Sequence, residues 1–200
     1  MARVYLGIGS NIDRERNIVA GLEAVSGLLG ELRLSPVYDS SAVGFDGQPF
    51  LNLVVAAETA LPVGELARRL RAIEFAHGRA PDATRFSSRR LDIDILLYGA
   101  LVETTDGVEL PRGEILENAF VLRPLADLAG DELHPLADRS YSALWADYVN
   151  PRQRLWRVDF EWRGVKFSCA GSEYGDSSLD DPAGVPSYGG VHAARRPLKA

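Results

Sequence analysis

The sequence predicts an α+β fold in which helices pack on an antiparallel sheet. Four short apolar runs have the spacing of strands: residues 4–8, 32–40, 50–57 and 91–98. Two longer segments carry apolar residues at helical spacing: residues 12–30 and 61–78. The order strand, helix, strand, strand, helix and strand is that of a split βαβ, ferredoxin-like sandwich. We expect the helices to cover one face of the sheet and a C-terminal extension to follow it.

A change of period marks the first strand and the first helix. The apolar run at residues 4–8 is interrupted and followed by the glycines of the motif LGIGSN, which indicate a turn. Four apolar residues then share one face of a helix that Gly30 ends: Ile18, Leu22, Val25 and Leu29. The third glycine of a dinucleotide-binding fingerprint is absent, because Ile12 occupies its position. We therefore interpret LGIGSN as a tight strand-to-helix turn rather than a phosphate cradle.

The later elements follow from the same two periods. The run FLNLVVAA at residues 50–57 predicts a strand, and a helix follows it up to His77 and Gly78. The apolar residues of this helix lie on one face: Val63, Leu66, Leu70 and Ile73. Residues 79–90 show no apolar period and predict a long loop before the strand at 91–98. Beyond that strand we expect a hairpin at 102–110 and a helix at 120–129.

Three parts of the chain differ in character. Residues 1–148 carry the predicted sandwich, and residues 149–168 form an appended strand segment. In that segment four apolar residues alternate with charged ones: Trp156, Val158, Phe160 and Trp162. Such a strand would serve either as a self-association contact or as a cover for an open sheet edge. Residues 169–200, rich in Gly, Ser, Asp and Pro, predict a mostly disordered tail.

Composition excludes several classes of protein. Twenty-two Lys and Arg against 28 Asp and Glu give a formal net charge of −6, which argues against a bulk-basic nucleic-acid binder. A single cysteine, Cys169, excludes an intramolecular disulfide framework and a cysteine-based zinc site. The N-terminus lacks the apolar region of a signal peptide, and no run approaches a membrane span. We expect a soluble, cytoplasmic protein with small-molecule substrates.

The sharpest chemical signal is the pair of aspartates in LDIDIL. Alternate side chains of a strand share one face, so Asp92 and Asp94 should lie about 6.6–7 Å apart along it, with Leu91, Ile93 and Ile95 facing the core. Mg²⁺ is typically bound by one or two carboxylates together with substrate phosphates. An acidic, solvent-facing strand surface is the alternative interpretation.

Arginines next to this pair favour phosphate chemistry. The loop that precedes the strand carries four of them, against a single Asp82: Arg79, Arg85, Arg89 and Arg90. Guanidinium groups bind phosphate oxygens, and carboxylates hold the accompanying metal. A solvated charge run is the alternative, yet the two features together favour phosphoryl-type transfer.

Several motifs occur together in a recognisable order. LGIGSN, VGFDGQPFLN, IEFAHGR and RFSSRRLDIDILLYG follow one another, and LPRGEILENAFVLRPLADLAG comes later. With them the chain resembles the 6-hydroxymethyl-7,8-dihydropterin pyrophosphokinase family over roughly residues 1–148. The resemblance implies transfer of diphosphate from ATP to the hydroxymethyl group of the pterin, with release of AMP, in folate biosynthesis.

The resemblance also implies roles for particular residues. Asp92 and Asp94 would hold two Mg²⁺ ions, and Arg79 and Arg89 would be the catalytic arginines. The residues implied at the pterin are two stacking rings, an amide and a loop glycine: Phe50, Phe120, Asn52 and Gly44. The residues implied on the nucleotide side are Arg85 and Phe86, which would close over the site, together with Glu74 and Arg112.

Departures from the family pattern fall mostly on the nucleotide side. Pro81, Asp82, Arg112 and Asn118 stand where the family usually has an arginine, a basic residue, a histidine and an arginine, respectively. Two alternatives to an active pterin diphosphokinase therefore stay open. One is a relative with a changed donor or pterin. The other is a non-catalytic protein that binds a pterin or a protein partner, which would not need the aspartate pair.

Overall fold

Antiparallel strands and five helices make up the part of the chain that the structure, a computed structural model, describes: residues 1–42, 47–78 and 89–171. The strands are β1 (Ala2–Ser10), β2 (Arg33–Leu34), β3 (Val37–Ser40), β4 (Phe50–Thr59), β5 (Asp92–Tyr98), β6 (Glu103–Thr105), β7 (Val108–Leu110), β8 (Leu155–Val158), β9 (Phe160–Trp162) and β10 (Val165–Ser168). The helices are α1 (Arg14–Leu29), α2 (Val63–Ala76), α3 (Glu114–Glu117), α4 (Ala119–Ala129) and α5 (Tyr141–Ala146).

The central sheet has the strand order β5-β1-β4-β3-β8, with β2 also paired to β4. Every pair in it is antiparallel. β1 and β4 pair along their whole length, from Ala2 opposite Thr59 to Ser10 opposite Leu51. β5 lies at one end of the order, beside β1, and β8 lies at the other end, beside β3. The predicted α+β class with an antiparallel sheet is confirmed.

Helices cover both faces of this sheet. On one face α1 and α2 bury their apolar sides, including Leu22 and Leu66, against β1, β4 and β5. On the other face α4 and α5 pack over Tyr5 and Val54. The prediction that helices cover one face only is therefore wrong. The physical reason is visible in β4, whose residues 51–57 are all buried, so neither face of it is exposed to water. Among the described residues no helix is long and apolar enough to cross a membrane.

Several predicted elements are confirmed with adjusted boundaries, and two are divided. The predicted strand at 32–40 is split into β2 and β3, because Pro36 has no N–H to donate and the Ser35 side chain instead accepts the Val54 N–H at 2.9 Å. The predicted strand through Trp156 and Trp162 is divided at Asp159 into β8 and β9. The helices α3 and α5 were not predicted, since at four and six residues they are too short to show a period.

The C-terminal segment (residues 147–171) packs against the sandwich. β8 adds to the sheet edge at β3, with Trp156 opposite Asp39. β9 and β10 pair with each other, and Phe160 joins the core beneath α1. The Ser168 hydroxyl accepts the Val37 N–H at 3.0 Å and donates to the Val158 carbonyl at 2.5 Å, which ties the end of the hairpin to β3. The predicted tail lies outside the described residues from position 172 onward.

Candidate active site

A cavity of about 520 Å³ opens where β1, β4 and β5 meet α2 and the junction between α3 and α4. Charged or aromatic side chains from β4, β5, α2, α3 and α4 line it, and β1 contributes Gly7, Ile8 and Gly9. The sequence-predicted residues that it brings together are Phe50, Asn52, Glu74, Arg89, Asp92, Asp94, Arg112 and Phe120. Four other predicted residues, Gly44, Arg79, Arg85 and Phe86, lie outside the described residues.

The aspartate pair has the predicted strand geometry. Ile93 and Ile95 point into the core beneath α2, which leaves Asp92 and Asp94 on the opposite side of β5, facing the cavity. Each carboxylate is paired with an arginine. Arg89 Nη1 lies 2.5 Å from Asp92 Oδ1, and Arg112 Nη2 lies 3.0 Å from Asp94 Oδ1. Both aspartates of the pair therefore form ion pairs with guanidinium groups in the cavity, and Arg112 is shared with Glu114.

The environment of Asp94 favours additional positive charge. Burial raises the pKa of its carboxyl to about 6, and the neighbouring charge of Asp92 adds to the shift, while Arg112 opposes it. Two carboxylates on one strand face are a donor set that suits Mg²⁺, which completes its coordination with water and phosphate oxygens. Among the described residues no cluster of three His, Cys, Asp or Glu side chains forms a complete protein-only metal site. Two carboxylates alone leave coordination positions that water and substrate phosphates can fill.

Glu74 holds the strand that carries this pair. Its side chain is buried, with 4% of the residue's surface exposed, and its carboxylate accepts the Ile93 N–H at 2.8 Å. Ile93 lies between the two aspartates on a strand at the end of the sheet order, where an outward N–H has no strand to pair with. Glu74 supplies the missing acceptor from α2. The Glu74 carboxylate therefore contacts the backbone of β5.

The base of the arginine-rich loop is attached to the turn after β1. Arg89 donates its backbone N–H to Asn11 Oδ1 at 2.6 Å and accepts the Asn11 N–H at 3.0 Å. Ser10 Oγ donates to the Arg90 carbonyl at 2.6 Å. The interpretation of LGIGSN as a turn is wrong for most of the motif, because residues 6–10 lie in β1 and the chain leaves the strand only at Asn11. Gly7 and Gly9 line the cavity, and the end of the motif positions the backbone of Arg89.

The opposite part of the cavity is uncharged. Asn52 is buried and donates through Nδ2 to Ser40 Oγ at 2.9 Å. Gly9 lies opposite Asn52 in the β1–β4 register, and a Cβ at Gly9 would lie 3.0 Å from Asn52 Oδ1. Phe50 and Phe120 line the same part of the cavity from β4 and α4. An amide beside aromatic rings suits a flat heterocycle that carries hydrogen-bonding groups.

Sequence reasoning missed two charged cavity residues, Arg71 and Glu114, as ligand-facing groups. Arg71 lies on α2, and within the described ranges it makes no ion pair. The sequence could have predicted that Arg71 shares a helix face with Glu74. The i, i+3, i+4, i+7 spacing places four residues on that face: Ala67, Leu70, Arg71 and Glu74. Asn118, a position that the family pattern places on the nucleotide side, also lines the cavity, between α3 and α4. Glu114 accepts a hydrogen bond from Arg112 Nε at 3.3 Å.

Comparisons with known proteins show which family this chain resembles. The family model for 7,8-dihydro-6-hydroxymethylpterin-pyrophosphokinase (HPPK) matches residues 5–130. A 2-amino-4-hydroxy-6-hydroxymethyldihydropteridine pyrophosphokinase of Aquifex aeolicus is 36% identical over 138 residues, which cover 68% of this chain and 86% of the relative. The protein with the same name from Pseudomonas aeruginosa is 42% identical over 134 residues, which cover 64% and 82% of the two chains.

Solved structures show the same fold. A crystal structure described as HPPK-DHPS in complex with substrates matches with a TM-score of 0.58 at 14% identity and covers 79% of this chain. The wild-type Plasmodium falciparum HPPK-DHPS with STZ-DHP matches with a TM-score of 0.59 at 13% identity and covers 74% of this chain. The chain spans less than half the length of these two solved chains, 47% and 43% respectively. On the match of the family model and the identity to the two bacterial relatives, this chain belongs to the 7,8-dihydro-6-hydroxymethylpterin-pyrophosphokinase family.

Proposed function

We propose that this chain transfers diphosphate from ATP to the hydroxymethyl group of 6-hydroxymethyl-7,8-dihydropterin in folate biosynthesis. The hydroxymethyl oxygen forms a bond to the β-phosphorus of ATP and releases its proton. The bond between the β-phosphorus and the oxygen that bridges it to the α-phosphorus breaks, and AMP leaves with that oxygen. The observation that carries the proposal is the single cavity in which Asp92 and Asp94 face an amide and two aromatic rings. Family membership supports the same reaction.

The uncharged part of the cavity is the proposed pterin site. Asn52, with its Nδ2 already engaged by Ser40, presents Oδ1 as an acceptor for an N–H of the heterocycle. Phe50 and Phe120 would contact the two faces of the ring. Gly44 is proposed to contribute from the neighbouring loop. This arrangement holds the hydroxymethyl group on the side of the cavity where Asp92 and Asp94 lie.

The charged part is the proposed site of phosphate transfer. Asp92 and Asp94 would hold two Mg²⁺ ions, which supply charge neutralisation to the phosphates of ATP when bound. Arg89 and Arg112 would then exchange their carboxylate partners for phosphate oxygens, because both guanidinium groups already face the cavity. Phosphoryl transfer of this kind depends on positioning and on charge neutralisation, so the chain needs no nucleophile of its own.

The nucleotide is proposed to lie along α2 and the β6–β7 turn. Arg71 and Val108 line that end of the cavity together with Arg112. Arg71 is a cation without a carboxylate partner among the described residues, and it offsets the basic residues that this chain lacks relative to the family pattern. Arg79, Arg85 and Phe86 are proposed to complete the site from the loop, and Glu74 to act through β5 rather than through direct contact with the nucleotide.

A cytoplasmic location and self-association of the chain are part of the same proposal. ATP as the donor is consistent with a cytoplasmic location.

Self-association through the C-terminal segment would use the edge of β8 that does not pair with β3, where Trp156 is 40% exposed. This contact is proposed from sequence alternation and strand position, and gel filtration coupled to light scattering of the full chain tests it.

The test of the function is AMP release by the full-length chain. ATP and Mg²⁺ are supplied with and without 6-hydroxymethyl-7,8-dihydropterin, and the variant Asp92→Ala is assayed beside the wild type. We expect AMP that depends on the pterin and disappears in Asp92→Ala. No pterin-dependent AMP from folded wild-type protein would overturn the proposal. Calorimetric binding of the pterin in that case would point to a changed donor or to a non-catalytic binding protein.

A further inference from the structure

The C-terminal segment contacts the wall of the cavity that carries Phe120. Gln153 accepts the Ala119 N–H through Oε1 at 2.6 Å. Its Nε2 lies 3.1 Å from Asn118 Oδ1 and 3.3 Å from the Glu117 carbonyl oxygen. One amide side chain therefore binds three successive residues at the junction where α3 ends and α4 begins.

These bonds replace the usual cap of α4. The first N–H groups of a helix have no acceptor within the helix, and the side chain of the capping residue commonly supplies one. Asn118 is the capping residue of α4, but its side chain makes no capping hydrogen bond. Gln153 instead supplies the acceptor at Ala119 and also engages the side chain of Asn118. The first turn of α4, which carries Phe120, thus depends on a residue from the C-terminal segment.

Tyr148 holds the Gln153 amide in place. Its hydroxyl lies 2.7 Å from the Glu117 carbonyl oxygen and 3.0 Å from Gln153 Oε1. The ring of Tyr148 stacks on Trp145 of α5, with the ring centres 5.6 Å apart and the planes within 13°. The Gln153 N–H donates to the Asn150 carbonyl at 3.0 Å, which closes a local turn. The amide is therefore oriented before any ligand binds.

The chain next reaches the other wall of the pterin site. Leu155, two residues after Gln153, lies opposite Ser40 in the β8–β3 register. Ser40 Oγ is the acceptor for Asn52 Nδ2. A stretch of three residues, 153–155, therefore connects the wall that carries Phe120 with the wall that carries Asn52. The hydrogen bonds of Gln153 and Tyr148 reach neither β5 nor α2.

We propose that Gln153 is a positioning residue for the pterin side of the cavity. Its amide sets the place of the first turn of α4, and hence of Phe120, relative to Asn52. The inference rests on the proposed function, because it names the pterin as the ligand whose binding Gln153 controls. The aspartate pair and Arg71 lie on β5 and α2, so the nucleotide side should be affected much less.

The primary test is the variant Gln153→Ala in the full-length chain. Loss of three hydrogen bonds at the junction should raise the KM for the pterin about tenfold, while the KM for ATP and kcat stay within about twofold of wild type. Titration calorimetry with the pterin alone should show the same loss of affinity. A residue that only supports the fold would lower kcat and weaken both substrates together, and that result would overturn the proposal.

Two further variants make the test specific. Gln153→Glu keeps an oxygen acceptor for the Ala119 N–H but places a carboxylate oxygen where Nε2 donates to Asn118 Oδ1 and the Glu117 carbonyl, so its pterin KM should rise at least as much as that of Gln153→Ala. Trp162→Phe is the matched control, because it removes the bond from Trp162 Nε1 to Glu23 on α1 within the same C-terminal segment. It should leave the pterin KM unchanged, and a rise equal to that of Gln153→Ala would overturn the proposal.

The outcomes separate this inference from the proposed function. Wild-type protein without pterin-dependent AMP release would overturn both. Active wild type with an unchanged pterin KM in folded Gln153→Ala would overturn the positioning role alone. Thermal unfolding checks the fold of each variant. If Gln153→Ala does not fold, the pterin KM of Gln153→Glu tests the positioning role instead. An unchanged pterin KM in that variant overturns the inference.

Discussion

The two sides of the cavity are held in place in different ways. On the pterin side, Asn52 and the start of α4 are fixed by hydrogen bonds to Ser40 and Gln153, and no charge takes part. On the phosphate side, Asp92 and Asp94 are held by ion pairs with Arg89 and Arg112. We therefore expect the proposed pterin side to keep its arrangement when a ligand binds, and the proposed phosphate side to exchange its ion-pair partners.

This difference has an energetic consequence. A site that is already ordered loses little conformational entropy when the ligand enters, so its contacts contribute directly to affinity. On the phosphate side, each guanidinium must leave a carboxylate before it can bind a phosphate oxygen, and that exchange is favourable only if a metal takes the place of the guanidinium. We expect substitutions on the pterin side to change mainly binding, and substitutions on the phosphate side to change mainly turnover.

The largest effect is expected for Asp94→Asn, which keeps the side-chain volume and removes the charge. Diphosphate transfer should fall about a thousandfold in kcat/KM, because the metal would lose one of its two carboxylates and Arg112 loses one of its two carboxylate partners. Pterin affinity in the absence of ATP should stay within about twofold. Steady-state AMP release and calorimetry measure the two quantities. Glu103→Gln, an exposed carboxylate on β6, is the control, and activity of Asp94→Asn within tenfold of that control would contradict the assignment.

Phe120→Ala is the matching experiment on the pterin side. Loss of a ring that stacks on a heterocycle should raise the pterin KM about tenfold to a hundredfold, and the KM for ATP should change little. The control is Phe75→Ala, which removes a 43% exposed ring on α2 that does not line the cavity. Equal effects of Phe120→Ala on both substrates would show that α4 supports the whole site and that the two sides are not separable.

The two sides of the cavity also differ in how far the sequence alone could predict their residues. Asp92 and Asp94 were accessible from the residues alone, because a period of two places them on one strand face and the apolar residues between them face the core. Phe50, Asn52 and Phe120 came from the family resemblance, since an aromatic ring or an amide on a strand has many structural uses. The bonds from Gln153 to Asn118 and Ala119 join residues more than thirty positions apart, and no local period reports such a contact.

The second layer of helices was missed for a related reason. The run FLNLVVAA predicts a strand but does not show whether one face or two faces are buried. Only the packing of α4 over Val54 and Ala56 shows that both are covered. Arg71 was not predicted because the helical pattern of α2 draws attention to its apolar residues. The three-residue spacing between Arg71 and Glu74 nevertheless places both on the cavity side of α2.

A smaller effect on the phosphate side is expected for Arg71→Ala. Removal of one cation from the nucleotide end of the cavity should raise the KM for ATP about fivefold, with the pterin KM unchanged. Arg68→Ala is the matched control, because Arg68 lies one turn earlier on α2 and pairs with Glu65. The dependence of the KM for ATP on salt should also weaken in Arg71→Ala. A change in the pterin KM, or no change in either KM, would contradict a nucleotide-side role.

The smallest effect is expected for Glu74→Gln, which tests how the charged side is supported. The side-chain oxygen of glutamine can still accept the Ile93 N–H, so β5 should keep its place and kcat/KM should fall by no more than about threefold. Glu74→Ala removes the acceptor from a buried N–H and should lower the free energy of unfolding by about 1–3 kcal/mol, measured by urea denaturation. A large loss of turnover in Glu74→Gln with unchanged stability would show that the negative charge itself acts on the nucleotide or its metal. That result would make Glu74 part of the phosphate side instead of a support for the strand beneath it.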